Sequence, residues 1–237
     1  MSHDTNRKAV TVAVLTATFL AALDTSVVGT AMPSIIGALG GLALYSWAFS
    51  AYLLTSTTTV PVCGRLSDIY GRKPVFLVGA ALFLVGSALC GTSSSMEQLI
   101  LYRALQGLGA GAVLPVSLTV VGDIYSLQDR AKIQGLISGV RGVSAILGPI
   151  IGAVLVEQLD WRWVFYVNIP FGLLSMLLFA LFLSERGATQ NATVDIIGSI
   201  VMTASVALLM LGLLELGQDG SSLSLPAWPL LGAAVGL

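Results

Sequence analysis

The sequence predicts an all-α membrane protein, and three observations carry that prediction. Of its 237 residues, 56% are hydrophobic and only 10% are charged, a balance that excludes an ordinary soluble domain. Apolar runs of about 20 residues, long enough to cross a bilayer core about 30 Å thick, recur along the chain. The runs lack strict polar alternation, which favours helices, because lipid leaves unpaired backbone groups without water.

Seven full spans and a partial eighth are predicted. The first six form one bundle at 9–183, after a tail at 1–8, and a linker at 184–195 precedes an extra pair of spans at 196–237. The chain stops inside the second span of that pair. The spans are Ala9–Met32, Leu42–Val62, Pro74–Cys90, Leu99–Val121, Ile133–Val156, Trp163–Leu183 and Ile196–Leu214, and the eighth begins at Leu225.

Basic residues divide unevenly between the two sides of the predicted bundle. The loops on the opposite side from the N-terminus contain only Arg162, whereas the N-terminal side contains Arg7, Lys8, Arg65, Arg72, Lys73, Arg130, Lys132 and Arg186. Because Lys and Arg in short loops mark the cytoplasmic face, we expect a multi-pass protein of the cell membrane with its N-terminus and the linker in the cytoplasm. Residues 64–74 then form a cytoplasmic loop between spans two and three. A formal net charge of -1 gives no support for a nucleic-acid partner.

Three ionisable residues lie well inside predicted spans, namely Asp24, Arg103 and Arg141. Such groups are costly at membrane depth and indicate functional sites. At about 1.5 Å per residue, Asp24 lies roughly 22 Å along span one and Arg103 roughly 6 Å from the outer end of span four. Both are therefore in the outer half of the membrane and close enough in depth to pair. Arg141, roughly 12 Å into span five, is nearer the middle.

Two interpretations of Asp24 and Arg103 remain open. The pair can be a structural ion pair that fixes helix register. Alternatively, the carboxylate can gain and lose a proton or cation as the protein changes state, since burial and a nearby arginine act on its charge in opposite directions.

Small residues recur every four positions in spans four and five, in GLGAG (Gly107–Gly111) and GPIIG (Gly148–Gly152). This spacing permits close approach of helix backbones, and Pro149 predicts a kink. His3, in the N-terminal tail, is the only histidine, and no catalytic or phosphate-loop motif is present. We therefore expect neither an enzyme nor a bound metal or cofactor.

Several stretches resemble motifs of the major facilitator superfamily. GRLSDIYGRKP at 64–74 resembles its loop signature, although Ser67 and Ile69 replace the commoner alanine and arginine. LDTSVVGTAMP in span one resembles a signature of the fourteen-span drug:proton antiporters, with Gly29 where asparagine is usual. LYRALQGLGAG, SAILGPIIGA, WRWVFYVNIP and DIIG resemble further motifs in the expected order, and Ser144 and Ala153 replace two glycines of the span-five motif.

The resemblance implies the fold of that superfamily's N-terminal six-helix bundle, followed by one and a half further transmembrane helices. Alternating access, in which two bundles rock around a central site, is the implied mechanism. The implied roles are proton coupling at Asp24 and Arg103, and antiport at the span-five motif of Gly148, Pro149 and Gly152. A cytoplasmic gate is implied at Gly64, Asp68, Gly71, Arg72, Lys73 and Arg130. We place Thr25, Gln106 and Arg141 along the substrate pathway.

The gate has an alternative interpretation as a basic turn that only sets topology. That interpretation accounts for Arg72 and Lys73, but it leaves Asp68 and the glycine spacing unexplained.

Three functions are compatible with these observations. The first is export of drugs or other lipophilic compounds, driven by inward proton flow. The second is export of an anionic metabolite, because Arg103 and Arg141 outnumber Asp24. The third is a truncated half-transporter, or a membrane assembly partner, that transports nothing alone, since one bundle cannot form both walls of a central pathway. The expected partners are a small-molecule substrate, protons, the lipid bilayer and a C-terminal half.

Overall fold

The computed structural model describes residues 6–184 and a few helical positions between 201 and 209. Within the described residues the chain is all-helical, which confirms the predicted fold class. The helices are α1 (Arg7–Leu39), α2 (Tyr45–Tyr70), α3 (Arg72–Thr92), α4 (Met96–Ile124), α5 (Leu127–Gln158), α6 (Trp163–Tyr166) and α7 (Asn168–Phe182), with a 3-10 turn at Leu42–Leu44 before α2. Nearly all of the predicted linker and of spans seven and eight lies outside the described residues.

The helices extend past the apolar runs because local signals set their ends. The α1 helix continues through Pro33 to Leu39, and the following residue, Gly40, has a positive φ of 70°, which glycine adopts without strain. Serine side chains cap two other helices. The Ser95 hydroxyl accepts a hydrogen bond from the Gln98 N–H at 3.3 Å before α4, and a similar cap at Ser126 precedes α5.

The predicted loop at residues 64–74 is helical except at one residue. The α2 helix continues to Tyr70, Gly71 has a φ of 96°, and α3 begins at Arg72. The loop prediction was wrong over most of its length, because the end of an apolar run marks where lipid ends and not where helical hydrogen bonding ends. Gly71 alone makes the turn, in a conformation that other residues rarely adopt.

Within the part of the chain that the structure describes, five helical segments are long and apolar enough to cross a membrane: α1, α3, α4, α5 and the combined segment Trp163–Phe182. The α2 helix is long but carries the hydroxyl run TSTTT at 55–59. These hydroxyl groups donate to backbone carbonyls one turn earlier, as Thr57 does to the Leu53 carbonyl at 2.7 Å. The hydroxyl groups of this run are therefore satisfied within the helix, as lipid requires.

The packing pattern suggests two related halves. The α4 helix packs against α2 and α3, while α1 packs against α5 and α7. The two sets of contacts are equivalent if α1–α3 and α4–α7 are inverted repeats. In that case α1 corresponds to α4, α2 to α5, and α3 to the broken segment α6–α7. One apolar cluster, with Phe76 stacked on Phe179, lies at the end of the bundle where α1 begins, and another surrounds Val27 and Phe165 at the opposite end. We call the end of the bundle where α1 begins the basic end.

Both glycine motifs lie at close helix contacts. A Cβ atom on Gly107 of α4 would lie 2.5 Å from the Tyr52 carbonyl oxygen of α2. A Cβ atom on Gly152 of α5 would lie 3.2 Å from the Val27 carbonyl oxygen of α1. The small residues therefore permit the α4–α2 and α5–α1 contacts, as their spacing predicts. The α5 helix runs through Pro149 as a single helix.

Replacing Gly107 with alanine is expected to destabilise the protein by about 1–3 kcal/mol, since the added methyl group meets backbone atoms that cannot move aside. Gly135→Ala on α5 is the matched control, because no atom lies within 4 Å of its Cβ position. Thermal unfolding in detergent, followed by circular dichroism, measures the difference. Equal melting temperatures for the two variants would show that the α4–α2 contact is not close-packed.

Candidate functional site

Asp24 of α1 and Arg103 of α4 form a buried ion pair. The Asp24 Oδ2 atom lies 2.7 Å from the Arg103 Nη1 atom, and the two side chains are 0% and 1% exposed. Their estimated depths in the sequence predict such a pairing, and the structure brings them together. A buried charge requires a partner, and here each residue supplies the countercharge of the other.

The second oxygen of the Asp24 carboxylate accepts two further hydrogen bonds. Gln106 donates from Nε2 at 2.8 Å and Asn168 donates from Nδ2 at 2.7 Å. Gln106 follows Arg103 by three positions on α4, so both side chains leave the same helix face. The Gln106 Oε1 atom in turn accepts from the Arg103 Nη1 atom at 2.7 Å. The carboxylate is thus held by donors from α4 and α7.

The Arg103 guanidinium has further contacts on its other sides. It lies over the Tyr52 ring of α2, 4.2 Å from the ring centroid, a cation–π geometry. Its Nε atom donates to the Ala48 carbonyl at 3.4 Å. These contacts stabilise the arginine in its charged form and tie α2 to the α1–α4 pair.

Asn168 extends the site to α3 and to the break between α6 and α7. Its Nδ2 atom also lies 3.0 Å from the Ser87 Oγ atom, and the Ser87 hydroxyl donates to the Phe165 carbonyl at 2.8 Å. We use the term carboxylate network for Asp24, Arg103, Gln106, Asn168 and Ser87. All of these side chains are buried.

Asn168, Ser87 and Tyr52 also belong to the site but were not predicted from the sequence. Asn168 had a detectable signal, because it is an amide within the WRWVFYVNIP motif at the start of a strongly apolar run. Ser87 and Tyr52 had none, since serine and tyrosine are common in membrane helices and only the packing of α2, α3 and α4 reveals their contacts.

The residues assigned to a substrate pathway separate into two groups. Gln106 is fully buried in the carboxylate network, whereas Thr25 and Arg141 are exposed on α1 and α5. The Thr25 hydroxyl donates to the Ala21 carbonyl at 3.1 Å. Only Thr25 and Arg141 of this group can meet a ligand on the surface that the structure describes.

At the basic end, Arg72 joins two acidic residues. Its Nη1 atom lies 2.5 Å from the Asp68 Oδ1 atom of α2, and its Nε atom lies 3.2 Å from the Asp123 Oδ2 atom of α4. Nη1 also donates to the Ser67 hydroxyl at 3.0 Å. We call Asp68, Arg72 and Asp123 the Arg72 clamp. Asp123 was not singled out from the sequence, because an acid at a helix end carries no signal of its own.

The remaining predicted gate residues lie near the clamp. Lys73 donates to the Leu183 carbonyl at 3.2 Å, and Arg130 donates to the carbonyls of Gly122 and Tyr125, the latter at 3.1 Å. These cations lie at the C-terminal ends of α7 and α4, where a positive charge interacts favourably with the helix dipole. Gly71 makes the α2–α3 turn, and Gly64 has no atom within 4 Å of its Cβ position.

Comparison with known proteins identifies the family. Residues 14–234 match the family description Major Facilitator Superfamily. The chain belongs to the Major Facilitator Superfamily. This membership confirms the resemblance seen in the motifs. It identifies the chain as a multi-pass membrane protein of a transporter family, which is not a family of enzymes.

Two proteins of Bacillus subtilis are similar to the chain. The chain is 42% identical over 216 residues to the multidrug transporter protein MdtP, covering 91% of this chain and 39% of that protein. It is 39% identical over 210 residues to multidrug resistance protein 3, covering 89% of this chain and 41% of that protein. The chain therefore spans about two fifths of the length of these relatives.

Solved structures of transporters share the fold. The crystal structure of the human organic anion transporter MFSD10 (TETRAN) aligns with a TM-score of 0.67 at 21% identity, over 92% of this chain and 58% of that one. An auto-inhibited POT family peptide transporter aligns with a TM-score of 0.64 at 15% identity, over 97% of this chain and 51% of that one. At these identities the likeness concerns the Major Facilitator Superfamily fold alone.

Proposed function

We propose that the chain supplies the N-terminal bundle of a secondary transporter that exports drugs or other lipophilic compounds in exchange for protons. The observation that carries this proposal is Asp24, the one acid that is buried among the described residues. An acid at that depth is a functional-site hypothesis by default, and its partner Arg103 is part of the same site. The printed names of the similar Bacillus subtilis proteins, a multidrug transporter and a multidrug resistance protein, support the substrate class.

In the proposed mechanism, proton binding at Asp24 forces the carboxylate network to rearrange, because it removes the negative charge that balances Arg103. When the carboxylate takes a proton, Arg103 loses its countercharge at 2.7 Å, and an unpaired buried arginine is strongly destabilising. The Asp24 side chain is closed to solvent in the described conformation. Proton exchange therefore requires a second conformation in which water reaches the carboxylate, and that requirement is the basis of alternating access.

The basic end faces the cytoplasm in this proposal, because Lys and Arg in short loops remain inside the cell. The Arg72 clamp then lies at the cytoplasmic ends of α2, α3 and α4. Asp68 and Asp123 place two carboxylates there, and a carboxylate suits the N-terminal end of a helix from another bundle. We propose that the clamp closes the cytoplasmic gate through such a contact.

A C-terminal half completes the pathway in the proposed mechanism, which operates at the cell membrane. Members of this fold form the central site between two bundles, and the described helices make one bundle. Transport by this segment alone is therefore not expected, and activity tests use the full-length protein.

An anionic metabolite is the second candidate substrate, and Arg141 is the observation that favours it. Of the two arginines inside predicted spans, Arg103 is neutralised by Asp24, whereas Arg141 remains exposed to a ligand.

Proteoliposomes that contain the full-length protein, loaded separately with a cationic and an anionic dye, are expected to export the cationic dye when a proton gradient is applied. Export of the anionic dye alone would establish the second candidate in place of the first.

Asp24→Asn is expected to abolish proton-driven efflux, since an amide side chain does not gain and lose a proton as a carboxylate does. Membrane insertion is expected to remain intact. The single variant leaves Arg103 unpaired, so its stability falls by about 3–5 kcal/mol. The double variant Asp24→Asn/Arg103→Gln removes both charges and is the matched control. It is expected to recover thermal stability without recovering efflux. Unchanged efflux in Asp24→Asn would return the pair to a purely structural role.

Asp68→Ala is expected to slow transport by reducing the maximal rate, with little change in the substrate concentration at half-maximal rate. The reason is that Asp68 lies near the end of α2, whereas Tyr52, which contacts Arg103, lies near the beginning of the same helix. Asp160→Ala is the matched control, because Asp160 pairs with Arg162 and has a similar exposed fraction, 47% against 43% for Asp68. Initial-rate kinetics in proteoliposomes separate the two parameters. A loss of affinity at an unchanged maximal rate would contradict the gate assignment.

A further inference from the structure

Asn168 is a buried amide whose donor atom is fully used and whose acceptor atom is not. Its Nδ2 atom donates to the Asp24 carboxylate at 2.7 Å and lies 3.0 Å from the Ser87 hydroxyl oxygen. Its Oδ1 atom is buried and has no hydrogen-bond partner among the described residues. An unpaired buried acceptor destabilises a fold, so an apolar side chain would serve packing alone better than this amide.

Ser87 fixes the direction in which the Asn168 amide points. The Ser87 hydroxyl has one proton, which it donates to the Phe165 carbonyl at 2.8 Å, so its oxygen is left to accept. The amide must therefore present its NH₂ group to Ser87, and the same group reaches Asp24. The reverse orientation would place the amide oxygen beside a carboxylate oxygen, which is repulsive.

The position of Asn168 follows from the interruption between α6 and α7. The first of these helices ends at Tyr166 and the second begins at Asn168, so the side chain leaves the first turn of α7. Because α7 packs on both α1 and α3, this turn lies between Asp24 and Ser87. The α6–α7 break therefore supplies the carboxylate with a donor that α4 does not provide.

We propose that Asn168 is a positioning residue that holds the Asp24 carboxylate in its charged form and sets the pH range in which Asp24 exchanges its proton. The inference rests on the proposed proton coupling at Asp24. In the exchange step, one carboxylate oxygen forms an O–H bond to a proton taken from water, and no other covalent bond changes. Removing a donor from the carboxylate disfavours the charged form relative to the protonated form.

The other titratable and charged groups near Asp24 come from three helices. Arg103 of α4 is its ion-pair partner. The Tyr52 ring of α2 lies 4.2 Å from the Arg103 guanidinium, and the Cys90 thiol of α3 donates to the Gln106 Oε1 atom at 3.8 Å. The α7 helix has no titratable side chain, and Arg141 of α5 is exposed. None of these groups changes in an Asn168 variant, so a shift in the titration of Asp24 reports the lost amide donor.

The test is an infrared titration of Asp24 in the reconstituted full-length protein. The absorption of the protonated carboxyl group is assigned to Asp24 by its disappearance in Asp24→Asn. In Asn168→Ala this absorption is expected to persist to a pH higher by about one unit, a tenfold change in proton affinity. Ser175→Ala is the matched control, because Ser175 is a buried α7 residue whose hydroxyl donates to the Ala13 carbonyl at 2.9 Å. Its titration is expected to equal that of the wild type.

Ser87→Ala gives a second test that retains the amide but frees its orientation. We expect a shift in the same direction and smaller than that of Asn168→Ala, and this variant decides the question if Asn168→Ala does not fold. Titrations of the Asn168 and Ser87 variants that coincide with that of Ser175→Ala would overturn the positioning role while leaving proton coupling intact. Absence of any Asp24 titration in the wild type would overturn the proton coupling itself, and the positioning role with it.

Discussion

A charged carboxylate inside a membrane bundle must be surrounded by donors, and the burial of Asp24 imposes this constraint on the rest of the structure. No single helix can supply all of its hydrogen bonds. Arg103 and Gln106 come from α4, and Asn168 comes from the start of α7. The relative positions of α1, α4 and α7 are therefore fixed by polar geometry as well as by packing. Small residues such as Gly107 then allow α2 to approach α4, which brings the Tyr52 ring onto the Arg103 guanidinium.

The two charged clusters differ in the cost of breaking them. The Arg72 clamp is partly exposed, with side-chain exposed fractions of 25% for Arg72 and 54% for Asp123. Exposed ion pairs of this kind contribute about 0–1 kcal/mol, so they can open and close within a transport cycle. Breaking the buried pair at Asp24 by neutralising one partner costs about 3–5 kcal/mol. Movement at the basic end is thus inexpensive, whereas rearrangement at Asp24 needs a compensating event, for which a proton is the proposed agent.

Hydropathy predicted the long helices of the bundle, and five of its six predicted spans coincide with described segments apolar enough to cross a membrane. Depth along the spans predicted that Asp24 and Arg103 could pair. Both predictions succeed because lipid imposes simple rules on length and charge. Helix ends were predicted less well, since the stretch from Gly64 to Tyr70 is polar enough to leave the lipid yet remains helical. Capping and glycine turns decide those ends, and hydropathy does not register them.

Ser87 and Asp123 gave no signal in the sequence, and the partner of Asn168 could not be predicted from its motif. Each acquires its role from contacts between residues far apart in the chain, such as the hydrogen bond that links Asn168 to Asp24. The interruption between α6 and α7 places that amide, yet the surrounding residues form an unbroken apolar run. Periodicity and composition describe one helix at a time, so a site assembled from α1, α3, α4 and α7 becomes visible only in the packed bundle.

The central claim is that Asp24 exchanges the proton that drives transport. Proton release on substrate binding tests it most directly, measured with a pH-indicator dye in weakly buffered detergent solution after addition of a lipophilic cation such as tetraphenylphosphonium. We expect the full-length wild-type protein to release protons and Asp24→Asn to bind the cation without releasing any. Equal proton release from the two proteins would contradict the claim.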